Sequence, residues 1–73
     1  MSRWFENRRI AFIAEMLHIY GFINREHLMR KFDISQPQAS KDLQAFQRNS
    51  SGSMFYDPSM KRYVSSEYRR SSR

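Results

Sequence analysis

Apolar residues recur at helical spacing over the first third of the chain. Between residues 3 and 20, which hold no Gly or Pro, Ile10, Ile13, Ala14, Leu17 and Tyr20 form one stripe, and Gly21 supplies a left-handed stop. A second set, Phe5, Phe12, Met16 and Ile19, occupies a neighbouring face. That face either broadens the core side of the helix or, with Trp4, packs on another subunit. Phe22-Ile23 reads as a brief strand. Asn24 then suits the N-cap of a short second helix, with Glu26 in its first turn, Leu28, Met29 and Phe32 inward, and its end near Asp33.

Ser35, followed three residues later by Gln38, has the form of a capping box, and Pro37 is tolerated in a first turn. The spacing predicts a third helix from about Gln36 to Arg48. Its inward face is Ala39, Leu43 and Phe46. Its outer face is Pro37, Lys41, Gln44 and Arg48, with Gln38 and Ser40 on the flanks. The polar run 49–53 reads as a loop. Met54-Phe55-Tyr56 and Arg62-Tyr63-Val64 are rich in strand formers, and Asp57-Pro58 between them suits a type I turn. A two-stranded hairpin results, with Tyr56 and Tyr63 anchoring it. The expected fold is mostly α with a small β-hairpin: a winged helix-turn-helix of three helices plus wing over residues 1–65. Residues 66–73 form a basic, flexible tail.

Composition narrows the function. The 73 residues fit one domain. Without cysteine there are no disulfides or thiolate metal sites. Thirteen Lys and Arg against seven Asp and Glu give a net charge of +6, which favours a polyanion partner. Hydrophobic residues make up 40% and aromatics 15%, too many for a disordered basic tail. No apolar run approaches the roughly 20 residues of a membrane span, and the amino terminus lacks the pattern of a signal peptide. A cytoplasmic protein is expected, in a bacterial or phage-infected cell. His18 and His27 lie apart on helices, as packed or surface residues do. The acids are scattered, and the only glycines, Gly21 and Gly52, form no phosphate loop. No enzyme, catalytic residue, metal, cofactor, membrane contact or small-molecule ligand is therefore expected.

The third helix carries the chemistry. A helix-turn-helix inserts the first turns of its second helix into the major groove. Here those turns hold Gln36, Gln38, Ser40, Lys41 and Gln44 as base readers. Gln pairs with adenine, Lys donates to guanine and Ser serves several bases. Ser35, Arg25 and Arg48 are placed for the backbone, as are Ser59, Lys61 and Arg62 at the hairpin tip, where the alternative is an ordinary solvated turn. Arg30 and Lys31 are further candidates for flanking phosphates.

The segments Ile10–Leu17, Gly21–Arg25, Leu28 to Ser35, and Gln38-Ala39-Ser40-Lys41-Asp42-Leu43 together resemble the amino-terminal winged helix-turn-helix of DeoR-like regulators. The resemblance is greatest to the branch fused to WYL domains, some of which lie beside defence loci. Tyr56–Val64 is similar to the wing of that branch. The resemblance spans about residues 8–65. It implies a repressor that binds an inverted repeat of double-stranded DNA as a homodimer, with base reading from Gln36 to Lys41. Such proteins continue into a sensing and dimerising region. For 73 residues the expectation is dimerisation through the winged domain, at Trp4, Phe5, Phe12 and Met16.

Two other functions fit a winged fold. One is a protein-interaction adaptor or antirepressor, which would tolerate acidic or apolar residues on the outer face of the third helix. The other is an architectural or excision factor that bends DNA. RNA binding fits less well, because the aromatics are committed to the core.

Overall fold

A computed structural model describes residues 3–50 and 52–66. Helix α1 spans Arg3–Ile19 and places Glu6 in its first turn. Gly21 stops it at φ 84°, a conformation that glycine adopts without Cβ strain. Its N–H reaches Leu17 C=O at 3.0 Å, satisfying an orphan carbonyl of the last turn. Ile13 and Leu17 are buried, with Ile10, Phe12 and Met16 packed beside them. The expected stripe is therefore rotated. Ala14 is exposed because it lies just past the edge of this arc, and Tyr20 is 59% exposed because it follows the last helical turn. The second apolar set divides: Phe12 and Met16 widen the core face, while Phe5 and Ile19 stay exposed.

Strand β1 (Phe22–Ile23) leads to α2 (Arg25–Phe32). Asn24 Oδ1 accepts the His27 N–H at 3.1 Å, and His27 Nδ1 accepts the Asn24 N–H at 3.2 Å. Two helix-start donors are thus satisfied reciprocally, a role for His27 that the sequence pattern did not reveal. Asp33 ends α2 in the left-handed region, at φ 54°. Aspartate tolerates that region better than most residues. The chain then enters α3 (Gln36–Asn49) within three residues. Ser35 Oγ accepts the Gln38 N–H at 3.3 Å, but the return half of the expected capping box is replaced: the Gln38 side chain turns to Asp42 instead.

The hairpin is β2 (Met54–Asp57) and β3 (Arg62–Ser65). The brief strand β1 joins it. The strands form one antiparallel sheet in the order β1-β3-β2. Phe22 pairs with Val64 and Ile23 with Tyr63, while Tyr56 faces Tyr63 on the other side with ring centroids 5.0 Å apart. Ser65 N–H adds a bond to Gly21 C=O at 2.9 Å. Ile13, Leu17, Ile23, Leu28, Ala39, Leu43, Phe46 and Met54 make one continuous core. Each large member contributes about 1.5–3 kcal/mol by leaving water. Ala39 is fully buried on the inner face of α3, where its small side chain fits the close approach expected of the two motif helices. This is the mostly helical winged helix-turn-helix read from the sequence. The proposed tail beyond Ser66 lies outside the described residues.

Candidate nucleic-acid interface

Helix α3 is amphipathic in the sense needed for groove reading. Ala39, Leu43 and Phe46 are buried, whereas Gln36, Pro37, Lys41, Gln44 and Arg48 are exposed and Gln38 and Ser40 are half-buried. The N-cap Ser35 is exposed at the entry to the helix. The outer face therefore collects amides, a hydroxyl and cations. The only acid on α3, Asp42, is 3% exposed and faces inward.

That acid is the residue the sequence reading missed. Asp42 Oδ2 accepts from Arg9 Nε at 2.6 Å, and Oδ1 accepts from Arg9 Nη2 at 3.2 Å and from Gln38 Nε2 at 3.0 Å. The side chains of the ion pair are 11% and 4% exposed. Taking a carboxylate out of water is tolerable only with such partners. Arg9 thereby removes a negative charge from beside the outer face. The signal was present in the spacing: Asp42 falls between Ala39 and Leu43 on the inward arc, where an acid demands a cation.

Other candidates fall into three groups. Arg25, the first residue of α2, approaches Ser40 Oγ with Nη1 at 3.4 Å, so it stands beside α3. An open groove of about 620 Å³ runs between the start of α1 and α3, lined among others by Phe5, Arg9, Gln38, Lys41, Gln44 and Arg48. Arg30 and Lys31 instead border a shallow groove of about 570 Å³ with Phe12, Met16, Tyr20 and Phe22. The Lys31 ammonium lies 5.5 Å from the Phe12 ring centroid.

The proposed dimer residues also divide. Trp4 is 69% and Phe5 48% exposed, while Phe12 and Met16 are half-buried against the core of their own chain. Phe32 receives both Phe5 and Phe12 edge-on, at 6.3 and 5.6 Å.

At the wing, Asp57 Oδ1 accepts the Ser59 N–H at 3.0 Å and the Met60 N–H at 3.4 Å. This Asx arrangement is what Asp contributes to a turn. Ser59, Met60 and Lys61 are exposed, and Lys61 is left-handed at φ 56°. Arg62 is different. It is half-buried in β3, its guanidinium carbon lies 4.3 Å from the Phe22 ring centroid, and its buried Nε has no hydrogen-bond partner among the described residues. Its geometry is that of a sheet residue, not of a free tip cation.

Among the described residues there is no group of three or more His, Asp or Glu placed to hold a metal ion, and no helix long and apolar enough to cross a membrane.

Residues 6–72 match the family model of the BrxR transcriptional regulator winged helix-turn-helix domain. The chain is 45% identical over 62 residues to a protein of Stenotrophomonas maltophilia named DNA-binding transcriptional repressor CapW, covering 85% of this chain and 21% of that one. Proteins of the same name from Escherichia coli (strain KTE188) and Pseudomonas aeruginosa are 39% and 36% identical over 66 residues, covering 90% of this chain and 22% of each of them. The chain thus spans about a fifth of the length of these relatives. With a family match over nearly its whole length and the winged architecture described above, the chain belongs to the family of BrxR transcriptional regulator winged helix-turn-helix domains.

Proposed function

We propose that this chain reads double-stranded DNA for a sequence-specific transcriptional repressor acting in the cytoplasm. Helix α3 enters the major groove and the β2–β3 turn lies on the backbone. Two copies bind an inverted repeat. The observation that carries this reading is the outer face of α3: Gln36, Lys41, Gln44 and Arg48 are exposed, and the one acid of the helix is turned inward and neutralised by Arg9. Relatives named as DNA-binding repressors support it. Gln36, Gln38, Ser40, Lys41 and Gln44 are the base readers. Ser35, Arg25, Arg48, Ser59 and Lys61 hold phosphates, where lysine and arginine gain affinity by releasing counterions. Trp4 and Phe5, the exposed pair among the candidate dimer residues, lead the contact between copies, and the half-buried Phe12 and Met16 are its further candidates.

The test is selection from a randomised duplex pool at near-physiological salt. The expected product is an inverted repeat with half-sites about one helical turn apart. A single unrepeated site would remove the symmetric dimer. Salt-sensitive retention without enrichment would move the protein to an architectural or adaptor role.

A further inference from the structure

The Gln38 amide is tethered at one end. Its Nε2 lies 3.0 Å from Asp42 Oδ1, on a carboxylate that Arg9 grips through two nitrogens at 2.6 and 3.2 Å. An ionised carboxylate only accepts hydrogen bonds, so the nitrogen end of the amide faces Asp42 and Oε1 faces away. The usual two-fold ambiguity of a glutamine amide is thereby removed. What remains for a partner is the acceptor Oε1 and the second N–H.

We propose that Asp42, locked by Arg9, is a positioning residue that fixes the Gln38 amide so that α3 selects adenine over guanine at the base it meets. This rests on the reading of α3 as the major-groove helix. In that groove adenine offers the N6 donor beside the N7 acceptor, whereas guanine offers two acceptors, O6 and N7. The free edge of the fixed amide is complementary to adenine and sets Oε1 against O6 of guanine. An untethered amide can turn its NH₂ toward guanine. The tethered one does so only by stripping a hydrogen bond from a buried carboxylate, and an unpaired buried acceptor is costly. Specificity then comes partly from α1, through a residue that touches no DNA.

The experiment compares the selected sites of the wild type, Gln38→Met, Asp42→Asn and the double variant in one buffer, with thermal unfolding as the control for folding. Gln38→Met leaves the Arg9–Asp42 pair intact and identifies the base position that Gln38 reads. At that position the wild type is expected to prefer adenine over guanine by about tenfold or more. Asp42→Asn presents either an acceptor or a donor to the amide, frees it to turn, and removes most of that preference there while leaving the preferences at the other positions unchanged. It adds nothing in the Gln38→Met background.

An unchanged preference in Asp42→Asn, an equal loss at all positions, or no effect of Gln38→Met would each overturn the positioning role while the groove reading stands. A wild type that enriches no site would overturn the groove reading and this proposal together. Should Asp42→Asn fail to fold, Arg9→Lys replaces the two-nitrogen grip by a point charge. It is then expected to blunt the same single-position preference, and an unblunted one counts against the proposal.

Discussion

Arg62 lies over Phe22, its guanidinium carbon 4.3 Å from the ring centroid, and so clamps β3 onto β1. A cation that the sequence reading places at the wing tip thus stacks on a residue of β1. Arg62→Ala is expected to lose about 0.5–2 kcal/mol of stability, the range of a cation–π contact with partial desolvation. Urea titration reads this. The slope of affinity against salt should stay at the wild-type value, and a slope reduced by a full contact would return Arg62 to the phosphate backbone.

Lys61 is the complementary case. It is exposed and left-handed, a conformation that costs a residue with a Cβ roughly 1–2 kcal/mol. Lys61→Gly should therefore hold or raise the unfolding midpoint, while Lys61→Ala keeps the strain. Both should weaken all duplexes alike and reduce the salt slope by about 0.9 for the lost phosphate contact. Binding that differs between these two variants would tie the effect to wing shape and not to charge.

Arg9 and Asp42 are separated by 33 positions and form a nearly buried ion pair. Arg9→Met leaves the carboxylate unpaired and is expected to cost about 3–5 kcal/mol. Arg9→Met with Asp42→Leu removes both charges and should recover most of that loss. A denaturation-based double-mutant cycle measures the coupling, and additive losses would show that the pair contributes nothing.

The two faces of α3 should respond in opposite ways. Leu43 is fully buried, so Leu43→Ala should destabilise by about 2–5 kcal/mol. Gln44→Ala, on the exposed face, should change stability by less than about 0.5 kcal/mol. It should also lower discrimination between cognate and random duplex by roughly 1–3 kcal/mol. Parallel unfolding and competition binding separate the two. Equal specificity in Gln44→Ala and wild type would take that residue out of the reading face.

Trp4 and Phe5 are large and exposed at the start of α1. If the proposed dimer forms through them, the wild type should sediment as a dimer and the variant Trp4→Ala/Phe5→Ala as a monomer at the same concentration. That variant should keep binding to an isolated half-site while losing the gain from an inverted repeat. A double variant that still sediments as the wild-type dimer would place the contact elsewhere.

Local signals in the sequence located every helix to within a few residues, because each is bracketed by a stop or cap: Gly21, Asn24, Asp33 and Ser35. The outer face of α3 was legible for the same reason, since periodicity alone separates Lys41, Gln44 and Arg48 from Ala39, Leu43 and Phe46. What escaped were contacts between distant segments. Pairing of Phe22 with Val64, the Arg9–Asp42 bridge and the Arg62–Phe22 stack each join residues far apart in sequence. No local propensity encodes them. The His27 cap is local but was hidden, because histidine is an uncommon third member of that motif.

The order of strands, β1-β3-β2, has a consequence for how the chain folds as it is made. β1 and β2 each bond to β3 and not to one another, so no part of the sheet exists until residues 62–65 have emerged. The three helices have their mutual partners by Asn49 and can dock earlier, since domains are synthesised from the amino terminus. The contacts among the helices are thus encoded earlier in the chain than those of the sheet. It is β3 that completes the sheet, because both other strands bond to it and it ties the hairpin to β1.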